Sequence, residues 1–196
     1  MSEEASQEFY SAERWQNWVD RVQETEIDPE DEDSARLLLN MQDDTAIAVA
    51  KVLTAFDDDH LGEDGALDEL ADIRAVVLDE VDVDDDDTLM LVDGVQTSLA
   101  CVIEAAMQYV AAGPADEATI EEYVDAAVDA EGAEDFDAAF SYVAQAGTLV
   151  VDGDDLDMTL LDDVEYGLVT EWLNGIDSLQ SALADPEVVE EEAGEE

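Results

Sequence analysis

Residues 86–112 read DDTLMLVDGVQTSLACVIEAAMQYVAA, and their periodicity decides the fold. Wound at 3.6 residues per turn, Val92, Val95, Leu99, Val102, Ala106 and Tyr109 form one broad apolar stripe. Beside it Gly94, Ser98, Cys101 and Ala105 form a stripe of small residues. Asp93, Thr97, Ala100, Glu104 and Gln108 make a third, narrow and mostly polar strip. A helix that offers water so little of its circumference is mostly buried. Its small stripe lets a neighbouring helix approach closely. We expect an all-α bundle of six or seven helices with this one at its centre.

Upstream, Ser11 can cap a helix running to about Thr25, with Trp15, Trp18, Val19 and Val22 on one face. Asp28-Pro29 breaks the chain. A second helix starts at Glu30 or Ser34 and runs to Phe56, carrying Leu38, Leu39, Ala46, Val49, Val52 and Leu53 at helical spacing. DDDHLGEDG, residues 57–65, is a turn. A third helix follows with Leu67, Leu70, Arg74, Val77, Leu78 and Val81 along it.

Downstream, Gly113-Pro114 ends the central helix. Two shorter helices are expected over Glu117–Ala130 and Glu134–Ala146. Thr148–Val151 and Leu156–Leu160 flank Asp152-Gly153 and read as a short β-hairpin near 148–160. A last helix, Leu160–Leu183, carries Leu161, Val164, Leu168, Trp172, Ile176 and Leu179. Gly167 and Gly175 each weaken it by roughly 1 kcal/mol, so packing must compensate. The organisation expected is one helical domain over 9–185, a flexible acidic leader at 1–8 and a disordered acidic tail at 186–196.

The 196 residues include 57 acidic and 5 basic ones, a net charge of −52. Chains this charged are often disordered, but those chains are poor in apolar residues. Here 47% are hydrophobic and they recur with helical period, so a core forms. At about 1 M salt the screening length falls to roughly 3 Å, which makes repulsion between carboxylates short-ranged. The basic residues are Arg14, Arg21, Arg36, Lys51 and Arg74, with none further on. The C-terminal half therefore holds no internal ion-pair partners for its acids and should be the less stable half in ordinary salt. We read the charge as adaptation to a cytosol of molar salt.

The same charge removes nucleic acid as a partner, because no basic patch can release counterions. Mimicry of nucleic acid toward a basic partner finds little support from charge alone in a salt-adapted chain. MSEEASQEFY is acidic and polar, not a signal peptide. The most apolar run, Leu89–Ala112, contains Asp93 and Glu104 and reads as too polar to cross a bilayer. No membrane and a cytoplasmic location are expected. Cys101 is the only cysteine, so there is no internal disulfide and no CxxC pair.

EVDVDDDDTLM, residues 80–90, holds the strongest ligand-like spacing. Counted from Asp82, carboxylates fall at calcium-loop positions one, three, five and twelve: Asp82, Asp84, Asp86 and Asp93. Leu89 suits position eight. Position six, however, is Asp87 where the loop needs glycine, and Asp93 is a methylene shorter than the usual bidentate glutamate. Asp57–Asp68 matches at one, three, six (Gly62) and twelve, but fails at Leu61 and Asp64. We read the first segment as a capped helix start, where aspartates satisfy free N–H groups and oppose the dipole. A calcium or magnesium site is the alternative; otherwise no cofactor is expected.

His60 lies in an Asp-rich turn without further zinc ligands, and reads as a surface histidine. Cys101 belongs to the small stripe and reads as a packing residue. Neither GxxxxGK[ST] nor GxGxxG occurs. Carboxylates are too abundant for any pair to stand out as acid and base. Trp15, Trp18 and Trp172 suit a core, or alternatively an anchor for a partner, since tryptophan is enriched at binding hot spots.

ERWQNWVDRV, DSARLLLNMQDDTAIAVAK, LVDGVQTSLACV and YGLVTEWLNGIDSLQSAL together resemble an uncharacterised haloarchaeal family, domain of unknown function 2150. The resemblance spans nearly all of the chain except its acidic ends. It implies a halophilic archaeal cytoplasm and carries no activity. The function expected is a non-enzymatic protein–protein interaction or scaffold protein, whose partner is another protein or a second copy of itself. A divalent-cation binder and a carboxylate-based enzyme are the alternatives.

Overall fold

The computed structural model describes residues 9–25, 27, 28 and 30–184. The expected leader and tail, and Pro29 at the first break, lie outside them. Among the described residues seven α-helices follow in order: α1 (Ala12–Glu24), α2 (Glu32–Asp57), α3 (Glu63–Val77), α4 (Asp86–Ala112), α5 (Ile120–Gly132), α6 (Phe136–Asp152) and α7 (Leu168–Ala184). One 3-10 turn, Met158–Leu161, interrupts the segment between α6 and α7. No strand occurs among the described residues.

Local chemistry sets the helix starts. Ser11 caps α1 by accepting from the Arg14 amide at 3.1 Å. Asp31, Asp85 and Asp135 cap α2, α4 and α6 through their carboxylates. Much of the acid at helix starts therefore satisfies backbone donors that would otherwise lack partners. α5 begins three residues later than the spacing predicts. Thr119 and Glu122 form a reciprocal capping box there, which outcompetes a start at Glu117.

The expected hairpin near 148–160 is absent. Thr148–Val151 continues α6, and Gly153 ends that helix in the left-handed region at φ 112°. Asp-Gly serves a helix C-cap as readily as a hairpin turn, since both need a residue that tolerates positive φ. The periodicity misled because Ala146 to Val150 are all buried, so no polar position marks the helical period. Leu156 is also buried, and the side chain of Gln180 clamps its backbone. Gln180 accepts from the Leu156 amide at 2.6 Å and donates to its carbonyl at 3.2 Å. α7 consequently starts at Leu168, eight residues later than expected.

α4 is the central element, with α2, α3, α6 and α7 packed around it. The small stripe does what its residue sizes allow. Glu171 lies over Gly94, and Gly175 lies against the backbone of Ser98. Further along the same stripe Gly147 of α6 meets Ala105. These pairs also fix direction. Positions 94 and 98 match 171 and 175, so α4 and α7 run parallel. The Phe140 ring meets Trp172 edge-on at 5.1 Å, and Gly147 meets Ile176, so α6 runs the same way.

α2 shares this direction. Gln42 donates to the Ser178 hydroxyl at 2.9 Å and to the Asn174 carbonyl at 3.3 Å, while Asp57 at its far end meets Tyr109. α3 and α5 return antiparallel between them. Gln96 of α4 ties down the end of α3 by donating to the Val77 and Asp79 carbonyls at 2.7 and 2.9 Å. One pole of the bundle thus gathers the N-termini of α2, α4, α6 and α7.

Asp93 and Glu104 do not make α4 too polar for a bilayer. By length and a mean hydropathy of 1.4 the helix is in fact apolar enough to span a bilayer. Its hydropathy has another outlet here. Leu99, Val102 and Ile103 are completely buried against the surrounding helices, as expected of a core helix.

Candidate functional site

The aspartate-rich segment before α4 does not converge on a point. Asp85, which belongs to neither carboxylate set of the calcium-loop pattern, caps the helix by accepting from the Thr88 amide at 2.9 Å and its hydroxyl at 2.7 Å. Those bonds hold its carboxyl below the usual range. Asp82 and Asp84 are exposed in the linker, Asp86 opens α4, and Asp93 sits two turns into it. Asp57 and Asp68 are likewise separated, one at the end of α2 and the other inside α3. Among the described residues no group of three or more His, Cys, Asp or Glu side chains is arranged to hold a metal ion.

His60 is exposed in the α2–α3 turn. Cys101 is completely buried in α4, and burial first, then the charge of Glu104, pushes its thiol well above the ordinary value. A thiol so placed is a poor nucleophile.

The three tryptophans separate. Trp15 and Trp172 are 4% and 5% exposed and belong to the core, so the fold leaves them almost no surface to offer a partner. Trp18 is half-buried at a polar corner between α1 and α2. Its indole N–H donates to Asp44 Oδ2 at 2.8 Å. Arg14 grips the same carboxylate with two bonds, Nε to Oδ2 at 2.8 Å and Nη2 to Oδ1. The Arg21 guanidinium stacks over the Trp18 ring at 4.6 Å and that of Arg14 over Tyr10 at 5.6 Å. Cation–π contacts of this kind suit an exposed seam. Tyr10 itself is buried, and that burial raises its phenol well above the ordinary range.

A second cluster lies at the pole where four helices begin. Met90 is 71% exposed and Tyr166 is 77% exposed. Tyr166 donates its hydroxyl to Glu171 Oε1 at 2.7 Å. The same oxygen stands 3.4 Å from where a Cβ on Gly94 would lie, and Met90 is one turn before Gly94 on α4. Partial burial, with the bond to and charge of Glu171, pushes the Tyr166 phenol up to about 12. Behind this pair the Glu131 carboxylate of α5 fills the space beside Gly167 and accepts from the Val169 amide at 3.3 Å. A carboxylate from one helix thus caps the start of another, where the helix dipole favours negative charge.

The geometry gives this pole an anchored aromatic ring and a flexible thioether, both facing water and bordered by carboxylates. Neither residue belongs to the stripes read from the spacing. For Met90 a signal existed: it falls on the polar strip with Asp86, Asp93 and Thr97, where a methionine has no packing role. Tyr166 sits in an irregular polar stretch and carried none.

No curated protein and no solved structure matches the chain. A family described as "Uncharacterized protein conserved in archaea (DUF2150)" matches residues 8–192, and the chain belongs to that family.

Proposed function

We propose that this protein is a non-enzymatic protein–protein interaction component of a salt-rich archaeal cytoplasm, and that it meets its partner at the pole carrying Met90 and Tyr166. The observation that carries the reading is the exposure of these two large side chains, 71% and 77%, on a chain whose other apolar groups are mostly packed away. Aromatic and methionine side chains are enriched at interfaces, because they bring contact area at modest entropic cost. The Glu171 bond holds the Tyr166 ring in place before any partner arrives, which lowers the cost of ordering it. The net charge of −52 supports the salt-rich setting.

The test is a photocrosslinking amino acid placed at position 90 or 166, with exposed Glu121 of α5 as the control position. Irradiation in cells or lysate at molar potassium chloride should give one dominant adduct at 90 and 166, to another protein or to a second copy of the chain. A product pattern identical to that at position 121 overturns the proposal.

A further inference from the structure

We infer that α1, together with Tyr10, is a releasable strap: a unit that opens from the bundle while α2–α7 stay folded. Among the described residues, four buried side-chain polar atoms have no hydrogen-bond partner: Tyr10 Oη, Trp15 Nε1, Thr45 Oγ1 and Tyr123 Oη. Three of the four belong to the α1 segment or to the stretch of α2 beneath it. Buried polar groups in folded proteins are almost always satisfied, and leaving one unpaired forfeits the water it gave up. The seam under α1 is therefore where this fold is least complementary. The Tyr10 and Thr45 hydroxyls lie near one another and near Asp44, yet form no well-shaped bond.

What holds α1 is correspondingly narrow. Trp15, Val19 and Val22 supply its buried apolar face. Asp44 supplies the polar latch by receiving both Arg14 and Trp18. At the far end Gln23 donates to the Asp82 carbonyl at 2.7 Å. The Arg14 side chain is half exposed, so salt screens its share of the latch. By contrast, α4 is enclosed by four helices. Elements with few buried contacts and exposed hydrogen bonds open below the global unfolding free energy, as cooperative units. Opening α1 rehydrates all three unpartnered atoms at once, whereas among the described residues α5 carries one, Tyr123 Oη.

Hydrogen exchange with mass spectrometry on the full chain in molar potassium chloride tests this. Amides of residues 15–24 should exchange together, at least about tenfold faster than those of residues 95–106 in α4. Asp44→Asn should speed exchange in α1 further and leave α4 unchanged. Thr45→Val, which removes an unpartnered hydroxyl at constant shape, should slow α1. Equal protection of α1 and α4, a uniform response of both helices to Asp44→Asn, or faster α1 exchange in Thr45→Val would each overturn the inference.

Discussion

Gly175 and Ser98 bring α7 and α4 into backbone contact: a Cβ on Gly175 would lie 2.6 Å from the Ser98 carbonyl oxygen. The Ser98 hydroxyl in turn donates to the Glu171 carbonyl at 2.9 Å. A glycine that weakens α7 in isolation is thus the residue that lets it seat. Gly175→Ala should cost about 1–3 kcal/mol, because the atom it meets is backbone and cannot turn aside. Gly147→Ala should behave similarly against Ala105 and Ile176, at 2.6 and 2.8 Å. Gly94→Ala is the contrast. Its nearest contact, Glu171 Oε1 at 3.4 Å, is ordinary, so helix propensity should make it neutral or stabilising by up to about 1 kcal/mol. Urea denaturation in molar potassium chloride gives all three values.

Cys101 offers a silent reporter. Its thiol is completely buried, with its ionisation suppressed by burial. Thiol reagents should leave the native protein unmodified for hours and label it stoichiometrically in denaturant. Labelling in native conditions should follow the opening of the central helices and be unaffected by Asp44→Asn. Fast labelling of the native chain would contradict the packing of α4.

The Asp44 latch should contribute orientation more than stability. Arg14 is half exposed, so a double-mutant cycle between Arg14→Met and Asp44→Asn should give a coupling under about 1 kcal/mol, shrinking as salt is added. The Trp18 bond to Asp44 should survive Arg14→Met. In that variant Trp18 emission should stay close to wild type, whereas Asp44→Ala should shift it.

Acidification should first help the fold. Burial, then the charges of Asp58 and Asp152, raises the carboxyl of Asp57, against a 3.4 Å bond from Tyr109 that lowers it. Burial, then the charge of Asp43, raises that of Asp177. A carboxyl raised in the fold favours folding below its unfolded value of about 3.9, and that contribution is lost as pH rises through the folded value. Asp85 and Asp157, lowered by bonds from Thr88 and Thr159, act oppositely. Their contribution is present above the unfolded value and disappears as pH falls through the folded one. Thermal midpoints at fixed salt should therefore rise as pH falls from neutral toward the unfolded carboxylate value of about 3.9, and turn down below it. Asp57→Asn with Asp177→Asn should raise the neutral-pH midpoint and flatten the first rise.

Removing salt should destabilise the chain, since no basic residue follows Arg74. Dialysis from molar to about 0.1 M salt lengthens the screening distance to roughly 10 Å and couples the carboxylates of α5–α7 to one another. Circular dichroism should show loss of cooperative melting. A transition unchanged by dialysis would remove the support for a salt-rich home.

The central helix was legible from residues 86–112 because its three strips differ in size and polarity, and the small strip marks where α6 and α7 press in. α7 itself could be read only in part. Its helical period is clear from Leu168 onward, but Leu161 and Val164 fall at the same spacing, so the sequence carries the helix back to Leu160 where the chain forms only a 3-10 turn and an irregular stretch. The end of α6 was misread for the opposite reason, since complete burial erases periodicity. Met90 carried a mark, as an apolar residue on a polar strip, that the stripe assignment left out. The Asp44 corner was not, because its partners lie 26 and 30 residues away and one aspartate among so many carries no mark.

The parallel run of α2, α4, α6 and α7 has a consequence for biosynthesis. α7 closes against α2, α4 and α6, all of which leave the ribosome before it. Until Gly175 and its neighbours emerge, the nascent chain presents an oily slot with no lid. The bundle can therefore close only once α7 has been made, and a chain stalled before it would lack its last wall.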